Sequence, residues 1–263
     1  MTTDQLQVDA YEELGYAVFR DVIDESLLGE IRLHVEWLQK NRAASLSSSE
    51  LFQFQRMNDD PFWHRVVSDD RLLDIACRFL GPDIALFGSG YFCKASSGGT
   101  PVLWHQDASY WPLEPMNALT LWLAIDESVV ENGCMRVIPG SHRAGVSELI
   151  ERLDVPNMLG SGMAQQHVDE EKAVNVILTP GDASVHHPKL VHGSLQNLSQ
   201  RRRCGLAIRY IPTSTRIVFD GTLPGAFLLR GEDRLALNRY NQKPHFKADI
   251  HMPFKGMEAW SES

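Results

Sequence analysis

Cysteine is sparse in this chain. Cys77, Cys93, Cys134 and Cys204 stand singly in apolar runs, and no two form a CxxC pair. That spacing excludes common zinc and dithiol patterns, so the four read as small buried hydrophobes of a reducing compartment. Positive charge is scarce too: 25 Lys and Arg against 34 Asp and Glu give a net charge of -9. The one basic run, Arg201 to Arg203, is too short to neutralise a phosphate backbone, and nucleic acid is not an expected partner. No eighteen apolar residues run together, and the opening segment MTTDQLQVDAYEELGY has neither a basic nor an apolar signal region. A membrane span and secretion are therefore not expected, and the expected location is cytoplasmic. Internal repeats and low-complexity tracts are also absent.

What the chain does have is material for a core. Hydrophobic residues make up 43% and charged residues 22% of the 263 positions, ordinary globular usage that suits a single domain over 1–263. Residues 1 to about 82 read as helical support. Gln5 to Leu14 has helical spacing and ends at Gly15, YAVFRDV reads as a short strand, and Glu25 to Gln39 and Arg71 to Leu80 repeat apolar residues at helical intervals. From about 83 to 212 the texture changes to short aromatic and β-branched runs, among them IALFGSGYFCKA, ALTLWLAID and CGLAIRYIP, separated by Gly, Pro, Asn and Ser. Such punctuation predicts an antiparallel sandwich or barrel, best fitted by a double-stranded β-helix of jelly-roll, cupin-like type, mainly β with flanking helices. Within it, 147–166 reads as a long insertion of the kind that forms lids. The tail, 213–263, has little periodicity and is expected to wrap the barrel mouth.

The chemistry is carried by three short motifs. In WHQDASYW, His105 and Asp107 are two apart, so on an extended strand both leave one face while Gln106 leaves the other. A third ligand from a distant strand would complete two imidazoles and one carboxylate, the facial set that leaves coordination positions of Fe(II) open. His186, His187 and His192, in HHPKLVHGS, compete for that place. Context favours His192, because Ser194 follows at +2 on the same face and Arg203 at +11. A strand, a turn and a returning strand would bring Arg203 alongside His192, where its guanidinium suits a carboxylate held in bidentate fashion. His142, in PGSH, reads as a turn residue, and Trp104, Tyr110 and Trp111 read as core aromatics, with Tyr110 and Trp111 as candidates for a substrate pocket. Lys94 reads as a solvated strand-end lysine, with a cavity-facing position as its alternative.

WHQD, the NGCMRVIPGSH run and GDASVHHPKLVHGS followed by RRRCGLAIRY resemble, in that order, the phytanoyl-CoA dioxygenase family of 2-oxoglutarate-dependent oxygenases. The resemblance spans about Gly15 to Thr213. It implies that His105, Asp107 and His192 bind Fe(II), that Arg203 and Ser194 bind the distal carboxylate of 2-oxoglutarate, and that Trp122 and Gln53 occupy further cosubstrate positions. It also implies an O2-dependent hydroxylase releasing succinate and CO2. Halogenating relatives carry a small residue where this chain has Asp107. Desaturation, epoxidation and ring closure would use the same ligands, and a non-catalytic jelly-roll module that binds a metal or small acid is the alternative of another class. The expected partner is a small-molecule substrate, best fitted by a specialised or secondary metabolite, since no basic cluster for a CoA diphosphate is evident.

Overall fold

The structure, a computed structural model, describes residues 3–42, 51–53, 57–218 and 226–261, with only the backbone of Thr3, Arg42 and 51–53. Four α-helices precede the main sheets: α1 (Thr3–Leu14), α2 (Glu25–Arg42), α3 (Pro61–Val67) and α4 (Asp70–Leu80). Gly15 ends α1 at φ +84, the left-handed conformation a helix stop favours. The short helix α3 escapes a periodicity search because it is buried almost all round, at Pro61, Phe62, Trp63, His64, Val66 and Val67. Its start is nonetheless written locally: Asp60 accepts a hydrogen bond from Trp63 N, and Pro61 occupies the first turn.

The strands form two main antiparallel sheets. The larger runs in the order β1 (Tyr16–Phe19), β11 (Ala183–His186), β6 (Leu119–Ala124), β13 (Arg203–Pro212), β3 (Ile84–Lys94) and β15 (Phe227–Arg230), with β2 (Leu51–Gln53) also paired to β3. The smaller has the order β10 (Val174–Val176), β7 (Met135–Val137), β12 (His192–Ser194) and β4 (Val102–His105). Two short pairs complete the set: β5 (Leu113–Glu114) with β14 (Arg216–Ile217), and β8 (Ile150–Glu151) with β9 (Ser161–Gly162). This is the jelly roll, and both flanking segments lend it strands, β1 and β2 from the first and β15 from the last.

Period-2 alternation on β13 decides where the core and the site lie. Cys204, Leu206, Ile208 and Tyr210 point to the main core, where they meet Ile31, Val35 and Leu72 of the helices. Arg203, Ala207 and Arg209 point the other way and line a cavity between the sheets. Each fully buried Leu or Ile on the helical side contributes about 1.5–3 kcal/mol. A buried polar relay ties the helices to the sheet: His34 contacts the Tyr91 hydroxyl at 3.1 Å and Asp60 Oδ2 at 3.0 Å. A second core of Trp122, Val137, Leu178 and Leu190 fills part of the space between the sheets.

Two sequence expectations change here. Cys93 and Cys204, expected as isolated thiols, face each other across β3 and β13 and form a disulfide, whereas Cys77 and Cys134 are free. A strand register joining positions 111 residues apart leaves no trace in local spacing. The tail, expected at the barrel mouth, mostly packs elsewhere: Phe254 and Trp260 lie against Phe62 and His64 of α3. Among its described residues, Ile217 near its start lines the cavity. The insertion does reach the mouth, where Met158 and Leu159 line the cavity and the Tyr110 hydroxyl lies 2.6 Å from Ser161 Oγ. Among the described residues no helix is long and apolar enough to cross a membrane.

Candidate metal centre and cavity

His105 closes β4 and His192 opens β12, and the two are register partners with ring centroids 4.1 Å apart. The same local device orients both rings. Nδ1 of His105 lies 2.9 Å from the Leu103 carbonyl, and Nδ1 of His192 lies 2.9 Å from the Leu190 carbonyl. Donation from Nδ1 fixes the tautomer and leaves each Nε2 as an acceptor for a cation.

Asp107 is not on the strand. β4 stops at His105, and Asp107 begins a 3-10 turn pinned by Ala108 N donating to Pro188 O at 2.8 Å. Gln106 keeps an extended backbone, φ −118 and ψ 129, so the alternation of faces survives the end of the strand. Its amide points away, donating to Lys189 O at 2.7 Å and accepting from Ser147 N at 2.8 Å. The Thr120 hydroxyl donates to Asp107 Oδ2 at 2.8 Å, and Oδ1 lies 3.7 Å from His105 Nε2.

One ligand atom from each of His105, Asp107 and His192 lies within 4.8 Å of the other two, and all three residues are buried. Burial alone would raise the Asp107 carboxyl, but His105 and His186 beside it, with His192 and Arg209 further off, hold it well below the usual carboxylate range. Burial, together with His105 and His186, pushes His192 well below an ordinary imidazole, which keeps it neutral and able to ligate. Two oriented imidazoles and one ionised carboxylate fit a divalent iron ion.

Of the rival histidines, His187 turns away from the cavity: its Nδ1 accepts from Lys189 N, and its ring lies near Tyr11 and His142. His142 in turn ties the PGSH turn to α1, with Nε2 3.2 Å from the Glu12 carbonyl. His186 stays inside, its ring 4.4 Å from His192 and its Nε2 3.4 Å from Asp107 Oδ2. It lines the cavity beside the triad, and neither of its ring nitrogens has a hydrogen-bond partner among the described residues.

Arg203 reaches the cavity by a different route from the one the spacing implied. A returning strand was expected beside His192, yet β12 belongs to the smaller sheet and β13 to the larger, so Arg203 arrives from the facing sheet. Its Cζ lies 5.4 Å from the centre of the Trp122 ring. Gly205 makes room for that indole, since a Cβ there would sit 2.0 Å from Trp122 Cζ2. Ser194 lines the same cavity from β12.

Lys94, read as solvated, is instead fully buried, stands opposite Arg203 in register and donates to the Leu195 carbonyl. Period-2 spacing from Phe92 was the signal for its inward position. Gln53 lies opposite Gly90 in the β2–β3 pair, and its side chain is outside the described residues. Tyr110 and Trp111 line the cavity as the sequence allowed, whereas Trp104 lies outside it under the Arg136 guanidinium. Sequence reading missed Arg209 altogether. The cavity measures about 840 Å³, room for a cosubstrate and a second small molecule.

Fold and site together define a jelly-roll, metal-dependent oxygenase. Residues 11–205 match the sequence profile of the phytanoyl-CoA dioxygenase family. A probable alpha-ketoglutarate-dependent hypophosphite dioxygenase of Stutzerimonas stutzeri is 26% identical over 217 residues, 76% of each chain. Phytanoyl-CoA dioxygenase domain-containing protein 1 of Bos taurus is 34% identical over 148 residues, 55% of this chain and 50% of that one. Thus the alignment spans only about half the length of the bovine relative. Among solved structures, the apo form of the non-heme monooxygenase ThoJ superposes with a TM-score of 0.76 at 24% identity, covering 90% of this chain and 87% of that one. The chain belongs to the phytanoyl-CoA dioxygenase family. It is a 2-oxoglutarate-dependent oxygenase, with Fe(II), 2-oxoglutarate and O2 as its cofactors.

Proposed function

We propose that the chain hydroxylates an unactivated C–H bond of a small molecule, best fitted by a specialised or secondary metabolite. His105, Asp107 and His192 hold the Fe(II), and Arg203 with Ser194 grips the distal carboxylate of 2-oxoglutarate. The observation that carries this reading is the buried ligand triad sharing one cavity with a buried arginine on the facing sheet.

When bound, Fe(II), 2-oxoglutarate and O2 supply an oxidant able to remove a hydrogen atom from the substrate, with succinate and CO2 as co-products. The chain's own task is placement. Leu103 and Leu190 carbonyls aim the two imidazoles, and Thr120 holds one Asp107 oxygen, which would leave the other to hold the metal. Lys94 beside Arg203 raises the positive field at that end, and the Trp122 indole walls it off from water. Gln53 is assigned to the same cosubstrate end. Asp107 fills the position that a halide would need, which favours oxygen transfer over halogenation.

The test is turnover. Fe(II)-loaded enzyme given 2-oxoglutarate, O2 and a panel of small metabolites should release succinate and CO2 in step with one substrate, whose product gains one oxygen. A product lacking two hydrogens would move the assignment to desaturation or ring closure. Absence of substrate-stimulated succinate across the panel would leave a binding module instead.

A further inference from the structure

Arg209 stands on the same face of β13 as Arg203 and Ala207, at the other end of the cavity. Its register partner on β6 is Thr120, the residue that holds Asp107, so Arg209 lies beside the metal triad rather than beside Lys94. Its Cζ is 5.7 Å from the centre of the Phe92 ring and 5.9 Å from that of Trp111. Two aromatic faces thus fix the guanidinium plane without neutralising it.

Among the described residues the guanidinium meets no anion. Among the described residues no carboxylate lies within 4.0 Å of its nitrogens, and its buried Nε has no hydrogen-bond partner. Arginines elsewhere do find acids, as Arg65 with Glu30 and Arg202 with Asp126 show. Asp107 is the carboxylate that influences Arg209, but one of its oxygens is taken by Thr120 and the other faces the ligand cluster. A partly buried cation aimed into a cavity with donors to spare is a site for an oxyanion. The wall around it is apolar and aromatic, formed by Phe87, Trp111 and Ile217.

We propose that Arg209 binds the anionic group of the primary substrate, so that the substrate is a small organic acid whose apolar body lies against Phe87, Trp111 and Ile217. This rests on the assignment of Arg203 to 2-oxoglutarate. The two arginines then sort two acids in one cavity: a dicarboxylate at the Arg203 and Lys94 end, and an acid with an apolar body at the Arg209 end. Oxidation falls on a carbon held between Arg209 and the triad.

Titration calorimetry tests the proposal on anaerobic enzyme loaded with Fe(II) and 2-oxoglutarate, using 3-phenylpropionate, hexanoate and their uncharged amides as probes. The acids should bind at least about tenfold more tightly than the amides, the scale of one charge-assisted hydrogen-bonded pair. Arg209→Gln should erase that preference while leaving the visible charge-transfer band of bound 2-oxoglutarate unchanged, which also shows that the variant is folded. Equal binding of acid and amide, binding of neither at millimolar concentration, or a preference that survives Arg209→Gln would overturn the proposal. So would loss of the charge-transfer band in Arg209→Gln, because Arg209 would then serve the cosubstrate. A wild-type enzyme with no band at all would instead remove the Arg203 assignment beneath it.

Discussion

The two ends of β13's cavity face carry the same side chain in opposite surroundings. Arg203 is 3% exposed, beside a Lys94 that is 0% exposed. Across β3 and β13 the two cations are register partners, which concentrates positive charge at this end of the strand. Arg209 is partly exposed, has no cationic register partner, and lies between aromatic rings. In the proposed reading one end takes a dicarboxylate and the other a single anion attached to something apolar. His105, Asp107 and His192 line the same cavity and are common to both.

The largest effects should come from the shared centre. His192→Ala or Asp107→Ala should leave little iron on the protein after gel filtration and lower turnover by about a thousandfold or more, because the oxidant needs the metal. Metal analysis beside succinate release checks both, and a variant retaining iron and full turnover would remove that residue from the ligand set. At the charged end, Arg203→Ala should weaken 2-oxoglutarate by about 100-fold, while Arg203→Lys should recover part of the loss as a point charge without the bidentate fork. An unchanged KM for 2-oxoglutarate would break the comparison.

Smaller effects sharpen it. Thr120→Val removes the hydroxyl that holds Asp107 Oδ2 and should lower iron affinity by about 10- to 100-fold, with a chelator competition as the readout. Gly205→Ala drives a methyl group into the Trp122 ring and should cost about 1–3 kcal/mol in denaturant unfolding. Displacement of the indole should raise the KM for 2-oxoglutarate more than it changes binding at the Arg209 end. The reverse order would mean that Trp122 serves the substrate.

Legibility in the sequence follows the range of the interactions. The triad was legible because HxD needs only an extended backbone, and Gln106 keeps that backbone extended even though the strand has ended. Arg203 was found through its spacing from His192, but its path was misread. Which sheet a strand joins is set by pairing partners far along the chain, here β3 and β6 for β13 but β4 and β7 for β12. The disulfide between Cys93 and Cys204 was hidden for the same reason. Helices α2 and α4 announced themselves by one-sided burial, whereas α3, buried almost all round, did not. Arg209 was within reach of sequence reading, since alternation along RCGLAIR puts it on Arg203's face. Only the structure tells that this face lines a cavity, and that no acid answers Arg209 among the described residues.

The division of labour along β13 is tested most directly by titrating 2-oxoglutarate into anaerobic Fe(II)-loaded protein and following the visible charge-transfer band in the wild type, Arg203→Ala and Arg209→Gln. The band should form in the wild type and in Arg209→Gln at similar 2-oxoglutarate concentrations, and require about 100-fold more in Arg203→Ala. A wild type without the band, or equal effects of the two substitutions, would contradict the account.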